Sequence, residues 1–382
     1  MDDDRAVDDA PSPERSHAGR RVALALWITG TFPGVLISCA MLLVARTLEG
    51  RAAALFALAT IASAATAIAK RLRVSIGLLA AALLCGAFLL ARSTAITVPS
   101  SAVRLEYVGP RATRPWRIAP THVVPERDQL ALATVLVPMV DALMTRQSAA
   151  RLRGALDAVY DDVDRDPSLK SLPSAMGDAI LDRDSGRVFV FEPPHARGER
   201  RPAILFLHGS AGSWKGYFAE LYAIARANRW ALAQPSFGFG NWNIRGGLDA
   251  VESARAWLVS QPWVDPTRVH LVCLSNGGRA ATRIIATTER RYRSIVWVSS
   301  VIERSVLDDH PWHPSWNAAP MLVLHGANDE RIPLEYVTRA VESLSAHGAE
   351  VEREVFAGED HYLVFTQRVR VRAAIARWVA RW

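Results

Sequence analysis

Three stretches near the start of the chain, 22–45, 52–69 and 74–91, contain no charged residue. At 1.5 Å of rise per residue each can cross roughly 30 Å of hydrocarbon, and only a helix satisfies its own backbone groups there. Arginines bound them: Arg20, Arg21 and Arg46 around the first, Arg51 before the second, Arg73 and Arg92 around the third, with Lys70 closing the second. The spacing predicts three transmembrane helices over 22–92. A cleaved leader fits poorly, because the first run is long, lacks an A-x-A end and is followed by two more. With the N-terminus inside, the inner flanks carry six basic residues (Arg15, Arg20, Arg21, Lys70, Arg71, Arg73) against four outside (Arg46, Arg51, Arg92, Arg104). This bias predicts an integral membrane protein, in a bacterial inner membrane by its arginine- and alanine-rich composition, with its C-terminal part extracytoplasmic.

The 382 residues leave room beyond the anchor for one domain of about 200 residues. The acidic start, 1–21, with Asp2, Asp3, Asp4, Asp8 and Asp9, reads as a disordered tail. Five prolines between 93 and 125 suggest an extended tether. Helical spacing of Leu130, Ala133, Val137, Val140 and Met144 opens a helical connector or lid over 126–180, with helices near 126–145 and 148–163. The net charge of +7 is dispersed arginine rather than a basic stripe interleaved with aromatics, so a nucleic-acid partner is not expected. Cys39 and Cys85 lie in the spans and Cys273 in the C-terminal domain, giving no soluble pair for a disulfide.

From 181 to 382, apolar strand patterns alternate with helical ones, as a doubly wound, mostly parallel sheet requires. Strands are expected near 188–192, 204–207, 231–234, 269–274, 295–299, 321–325 and 351–356, with helices near 216–228, 248–260, 278–288, 334–347 and 363–379. The apolar run ending in Cys273-Leu274-Ser275-Asn276-Gly277-Gly278 reads as a nucleophile elbow, a strand-to-helix turn with the serine at its tip. In the usual G-x-S-x-G pattern Cys273 replaces the first glycine, which also raises a rival thiol nucleophile two residues before the tip. A serine needs a base, and the base needs an orienting acid. Asp329 follows the strand Met321-Leu-Val-Leu-His325, and His361 follows the strand 351–356. Upstream, Leu207-His-Gly-Ser-Ala-Gly212 ends a strand in a glycine-rich turn.

On the motifs LHGSAG (207–212), CLSNGG (273–278), HGANDERIP (325–333) and GEDHY (358–362), residues from about 187 to 382 resemble α/β-hydrolases of the esterase, dienelactone-hydrolase and prolyl-oligopeptidase-like group. The resemblance implies the α/β-hydrolase fold, with Ser275 as nucleophile, His361 as general base and Asp329 holding the imidazole tautomer. It implies an oxyanion hole from the backbone N–H of Asn276 and that of Ser210, with Ala211 as the other candidate for the second donor. His208 is read as a buttress of that turn. No cofactor and no metal is expected, since no His, Cys and Asp spacing suits a metal ion. Phe237, Phe239, Trp242, Trp312 and Trp316 are candidate walls for an apolar acyl group. The expected function is a membrane-anchored serine hydrolase whose partners are a small-molecule ester or acyl substrate and the lipid bilayer. The alternatives are an oligopeptidase-like peptidase or amidase, and a catalytically inactive membrane binding protein.

Overall fold

The computed structural model describes residues 13–94, 102–110, 123–174 and 186–382. The chain divides into two compact units, 1–95 with 123–128, and 96–122 with 129–382. The first holds α1 (Pro13–Val44), α2 (Leu48–Ile68) and α3 (Leu72–Thr94). All three are long and apolar enough to cross a membrane. They pack around the buried Met41, Ala54, Ala82 and Leu89, with small polar contacts between them. The Trp27 indole N–H donates to the Ile61 carbonyl at 3.4 Å, and Ser63 and Ser75 each donate to the other's backbone carbonyl at 2.9 Å. Other large apolar side chains face outward, Leu43 at 87% exposure and Leu84 at 73%. At the α1–α2 turn, the buried Asp128 carboxylate accepts from the Arg46 N–H at 2.6 Å and from the Thr47 hydroxyl. Thr47 in turn caps α2 by accepting from the Gly50 N–H.

The second unit is built on an eight-stranded sheet in the order β1-β2-β4-β3-β5-β6-β7-β8. Its strands are β1 (Val103–Tyr107), β2 (Arg187–Phe191), β3 (Arg201–Leu207), β4 (Ala231–Pro235), β5 (Val264–Leu274), β6 (Ser294–Val298), β7 (Pro320–Gly326) and β8 (Glu350–Phe356). Strand β2 runs antiparallel to both neighbours, and every pairing from β4 to β8 is parallel. This is an α/β-hydrolase-like topology. Alternation along the strands divides the core. Ile204, Phe206, Val272 and Leu274 face one helical layer; Ala203, Leu205, Leu271 and Cys273 face the other. The first layer is α5 (Arg146–Arg165), α7 (Lys215–Asn228) and α13 (Arg368–Arg381); the second is α8 (Gly247–Val259), α9 (Gly277–Thr287) and α11 (Leu334–Ala346). Short helices α6 (Pro167–Lys170), α10 (Arg304–Asp308) and α12 (Leu363–Thr366) fill the connections.

Two expectations change. The segment 93–125 is not all tether, because its residues 103–107 form β1, pair in register with β2 and bury Val103. Val103, Leu105 and Tyr107 alternate with Arg104 and Glu106, a period-2 pattern, and the nearest prolines lie outside the five residues that pair. Helix α1 starts at Pro13, inside the stretch read as a disordered tail; proline lacks the N–H that a first turn leaves unpaired anyway. The rest of that tail, 1–12, lies outside the described residues. In the connector, α4 (Glu126–Val140) and α5 take the place of the two expected helices, and α5 buries Leu152, Leu156, Val159, Tyr160 and Val163 against the sheet layer.

Candidate active site

Strand β5, fourth from the C-terminal edge, carries the chain to Ser275. The serine has φ 49°, a left-handed conformation costing a non-glycine residue about 1–3 kcal/mol. The surroundings hold it there. Its carbonyl accepts from the N–H of Gly278 at 3.1 Å, the N–H of Val301 at 3.0 Å and the hydroxyl of Ser300 at 3.0 Å. The following helix crosses β3 closely, and a Cβ on Gly277 would stand 2.4 Å from the Leu207 carbonyl oxygen. Cys273 is fully buried among apolar side chains, and that burial pushes its thiol well above the ordinary range. A thiol held protonated inside the core is no nucleophile.

Two loops bring the remaining groups to Ser275. Past β7, Asp329 is buried, and its Oδ1 accepts from the Arg331 and Ile332 N–H groups at 3.0 and 2.9 Å. Past β8, the His361 Nδ1 lies 2.8 Å from Asp329 Oδ2, and its Nε2 lies 3.0 Å from Ser275 Oγ. A carboxylate only accepts, so the proton sits on Nδ1 and the Nε2 lone pair faces the serine hydroxyl. His325 approaches the same carboxylate to 3.7 Å, but its Nε2 bonds to the Ile332 carbonyl at 2.8 Å and burial lowers its pKa. Burial thus favours the neutral form of His325 and weakens it as a counter-charge to Asp329.

The turn after β3 lies against the elbow. His208 is fully buried, and burial lowers its pKa to about 4. The neutral ring donates from Nδ1 to the Gly209 carbonyl at 2.7 Å and accepts at Nε2 from the Phe237 N–H at 3.1 Å. It thus shapes the turn and takes no part in proton transfer. The Ala211 N–H is taken by the Phe239 carbonyl at 3.0 Å. By contrast, no acceptor among the described residues bonds the backbone N–H of Ser210 or of Asn276. Their side chains are linked, Asn276 Nδ2 donating to Ser210 Oγ at 2.8 Å. The arrangement offers a hydroxyl, a base aimed at it and two amides with open donor directions. Among the described residues no group of three His, Cys, Asp or Glu side chains is placed to hold a metal ion.

Most of the aromatic residues proposed as pocket walls turn inward. Trp242 and Trp316 are fully buried, donating their indole N–H groups to the carbonyls of His208 and Thr288. Phe237 is buried and stacks on Trp242, while Trp312 stacks on His347. An indole can plug a core once its one donor finds a carbonyl, and sequence does not distinguish that use from a loop-borne wall. Phe239, 46% exposed, is the member of the five that presents its ring to solvent. In its place a polar cavity of about 370 Å³ adjoins the histidine, lined by His361, Tyr362, Arg331, Asp360, Ser148 and Arg151 among others. Arg331 and Tyr362 lie inside the HGANDERIP and GEDHY motifs, but Ser148 and Arg151 come from a helix that carries no motif.

The profile of the prolyl oligopeptidase family matches residues 310–382, which include Asp329 and His361. A curated relative, the uncharacterized peptidase YuxL of Bacillus subtilis (strain 168), is 26% identical over an alignment covering 56% of this chain; the chain spans 39% of that protein's length. Among solved structures, a puromycin-hydrolyzing peptidase of Mycobacterium tuberculosis aligns at 18% identity and a TM-score of 0.42, covering 53% of this chain and 38% of that one. The esterase Est2 of Thermogutta terrifontis aligns at 17% identity and a TM-score of 0.40, covering 50% and 85%.

Proposed function

We propose that this chain is a membrane-anchored serine hydrolase that cleaves carboxylic esters through an acyl-enzyme intermediate. The observation that carries the reading is the unbroken relay Ser275–His361–Asp329, with contacts of 3.0 and 2.8 Å, set on a strained elbow. In the first step Ser275 Oγ attacks the acyl carbon while His361 Nε2 takes its proton. Asp329 keeps Nδ1 protonated and stabilises the imidazolium that forms. The tetrahedral oxyanion is met by the backbone N–H groups of Ser210 and Asn276, the pair left without acceptors, whereas the Ala211 amide is already committed. His361 then returns the proton to the departing alcohol, and water repeats the sequence to release the acid.

Peptide or amide bonds are the second reading, favoured by the match of residues 310–382 to the prolyl oligopeptidase family. The same relay serves both, since only the leaving group differs. Anchoring in a bilayer, with the bacterial inner membrane as the site, is supported by three charge-poor helices whose large apolar side chains face outward. The six-to-four excess of basic residues supports an extracytoplasmic catalytic unit.

The test is turnover of the detergent-solubilised protein on parallel panels of acyl esters and peptide amides, with fluorophosphonate labelling. Wild type should label at Ser275 and turn over esters faster than amides. Ser275→Ala should lose labelling and about 10⁴-fold or more in turnover. Residual labelling of that variant at another serine would remove the elbow from the mechanism, and faster amide turnover would select the second reading.

A further inference from the structure

His361 sits on the short loop between β8 and α12, and side chains from a distant part of the chain hold the residues before it directly and the residue after it through Arg331. Before it, the Arg151 guanidinium of α5 donates to Glu359 Oε2 at 2.8 Å, and the Ser148 hydroxyl donates to Asp360 Oδ2. After it, the Tyr362 hydroxyl accepts from Arg331 Nε at 3.2 Å, and the same guanidinium is ion-paired with Asp141, between α4 and α5. Asp360 closes the arrangement by accepting the Tyr362 N–H at 3.0 Å through its other oxygen. Among the described residues, the His361 ring bonds to Asp329 and Ser275.

The grip has a firm base. Glu359 is buried, and its carboxylate is also held by Thr366 and by Gln367 at 2.7 and 2.8 Å. Met144, Ala149 and Leu152 anchor the gripping segment in the apolar core on either side of Ser148. The Thr145 side chain caps α5 by accepting the Ser148 N–H, which fixes the hydroxyl-bearing residue in the first turn. None of these side chains is needed to complete the relay, yet Ser148 and Arg151 bind the two residues before the base, and Asp141 reaches Tyr362, after it, through Arg331.

We propose that the segment 141–151 is a strap that holds the His361 loop in its reactive position, with Asp141, Ser148 and Arg151 as positioning residues. The proposal rests on the serine-hydrolase reading of the same site. Its physical content is entropic. The imidazole must stay within hydrogen-bond reach of Ser275 in the neutral and protonated states, and a misplacement of about 1 Å can cost about 100-fold in rate. A loop of few residues, leaving an edge strand, does not fix that position alone. Ties on both sides of the base do. The strap touches the flanking residues rather than the reacting atoms, so its loss should appear in turnover and not in substrate affinity.

The experiment uses the full-length protein in detergent and compares wild type, Ser148→Ala, Ser148→Thr, Asp141→Ala, the double variant Asp141→Ala with Ser148→Ala, and Ser275→Ala as a reference. Measured are kcat and KM on a short-chain p-nitrophenyl ester, the rate of fluorophosphonate labelling and the thermal unfolding midpoint. The double variant should lose about 10- to 100-fold in kcat and in labelling rate, with KM and the midpoint unchanged. Ser148→Thr, which keeps the hydroxyl, should retain wild-type turnover while Ser148→Ala does not. Unaltered kcat in the double variant overturns the strap, as does a loss confined to KM or one that follows a fallen midpoint. Should the double variant fail to fold, the contrast between Ser148→Ala and Ser148→Thr decides in its place, equal turnover overturning the proposal. If Ser275→Ala still hydrolyses the ester, the serine-hydrolase reading fails first, an outcome distinct from normal wild-type chemistry with an idle strap.

Discussion

Gly209 lies so close to Ser275 that a Cβ on the glycine would stand 3.0 Å from the serine Cβ and 3.6 Å from its Oγ. The turn after β3 and the elbow after β5 thus meet at a position that has no side chain, beside the Asn276–Ser210 bond. Gly209→Ala should crowd the hydroxyl and displace the neighbouring Ser210 amide. The expected loss is about 10-fold or more in kcat, since an oxyanion donor is worth about 10²–10³-fold when removed outright. Steady-state kinetics check this, and full activity in the variant would mean that Ser275 has room to spare.

Asp329→Asn should cost about 10³- to 10⁴-fold in turnover, because an amide presents an N–H to His361 Nδ1 and favours the wrong tautomer. Asp360→Asn is the control. An asparagine can keep both contacts, its oxygen accepting the Tyr362 N–H and its Nδ2 donating to the Ser148 hydroxyl, so the loss there should be small. Turnover of the two purified variants separates them, and a reversed order would transfer the orienting role to Asp360.

Burial lowers the pKa of His208 to about 4 and of His270 to about 3, from an unfolded value near 6.5. Both rings are neutral in the fold, so the unfolded chain binds more protons below pH 6.5. Their contribution to stability is complete above that pH and declines as the pH falls through 4 towards 3. Glu220, whose carboxyl burial raises, works in the opposite direction. With three imidazoles, His325 included, against one carboxyl, the unfolding midpoint of the catalytic unit should drop steadily between pH 6.5 and 4. A midpoint flat across that window would mean the rings are open to protons in the fold.

Two truncations test the division of the chain. A protein starting at residue 96 should be soluble without detergent and keep its turnover, because the relay lies wholly beyond β1. A protein starting at residue 108 loses the edge strand and the buried Val103, and its unfolding midpoint should fall by about 5 °C or more. Membrane-free fractionation and thermal melts provide the readings. Equal melts would make β1 dispensable to the sheet.

The relay was legible because Ser275 and Asp329 follow apolar strand runs and His361 an alternating one, and strand ends in a parallel sheet converge on one edge. Ser275, Asp329 and His361 announce themselves in this way. What was not legible depends on pairings that leave no periodic trace. Asp141 meets Arg331 across 190 positions and Ser148 meets Asp360 across 212, and neither acidic nor hydroxyl side chains carry a spacing signal at such range. Strand β1 was hidden for another reason. Five alternating residues are too few to stand out between prolines, and only the partner β2 gives them meaning. The aromatics misled because burial of an indole depends on a carbonyl within reach, which is a property of the folded chain.

The Ser63 and Ser75 hydroxyls, each bonded to the other's carbonyl at 2.9 Å, act on α2 and α3 like a detent in a slide. A shift of one helix past the other by a single residue breaks both bonds at once, and the apolar side chains around them offer no substitute partner. The hairpin therefore has one preferred setting, in which the two helices are aligned by the fold itself rather than by whatever surrounds them.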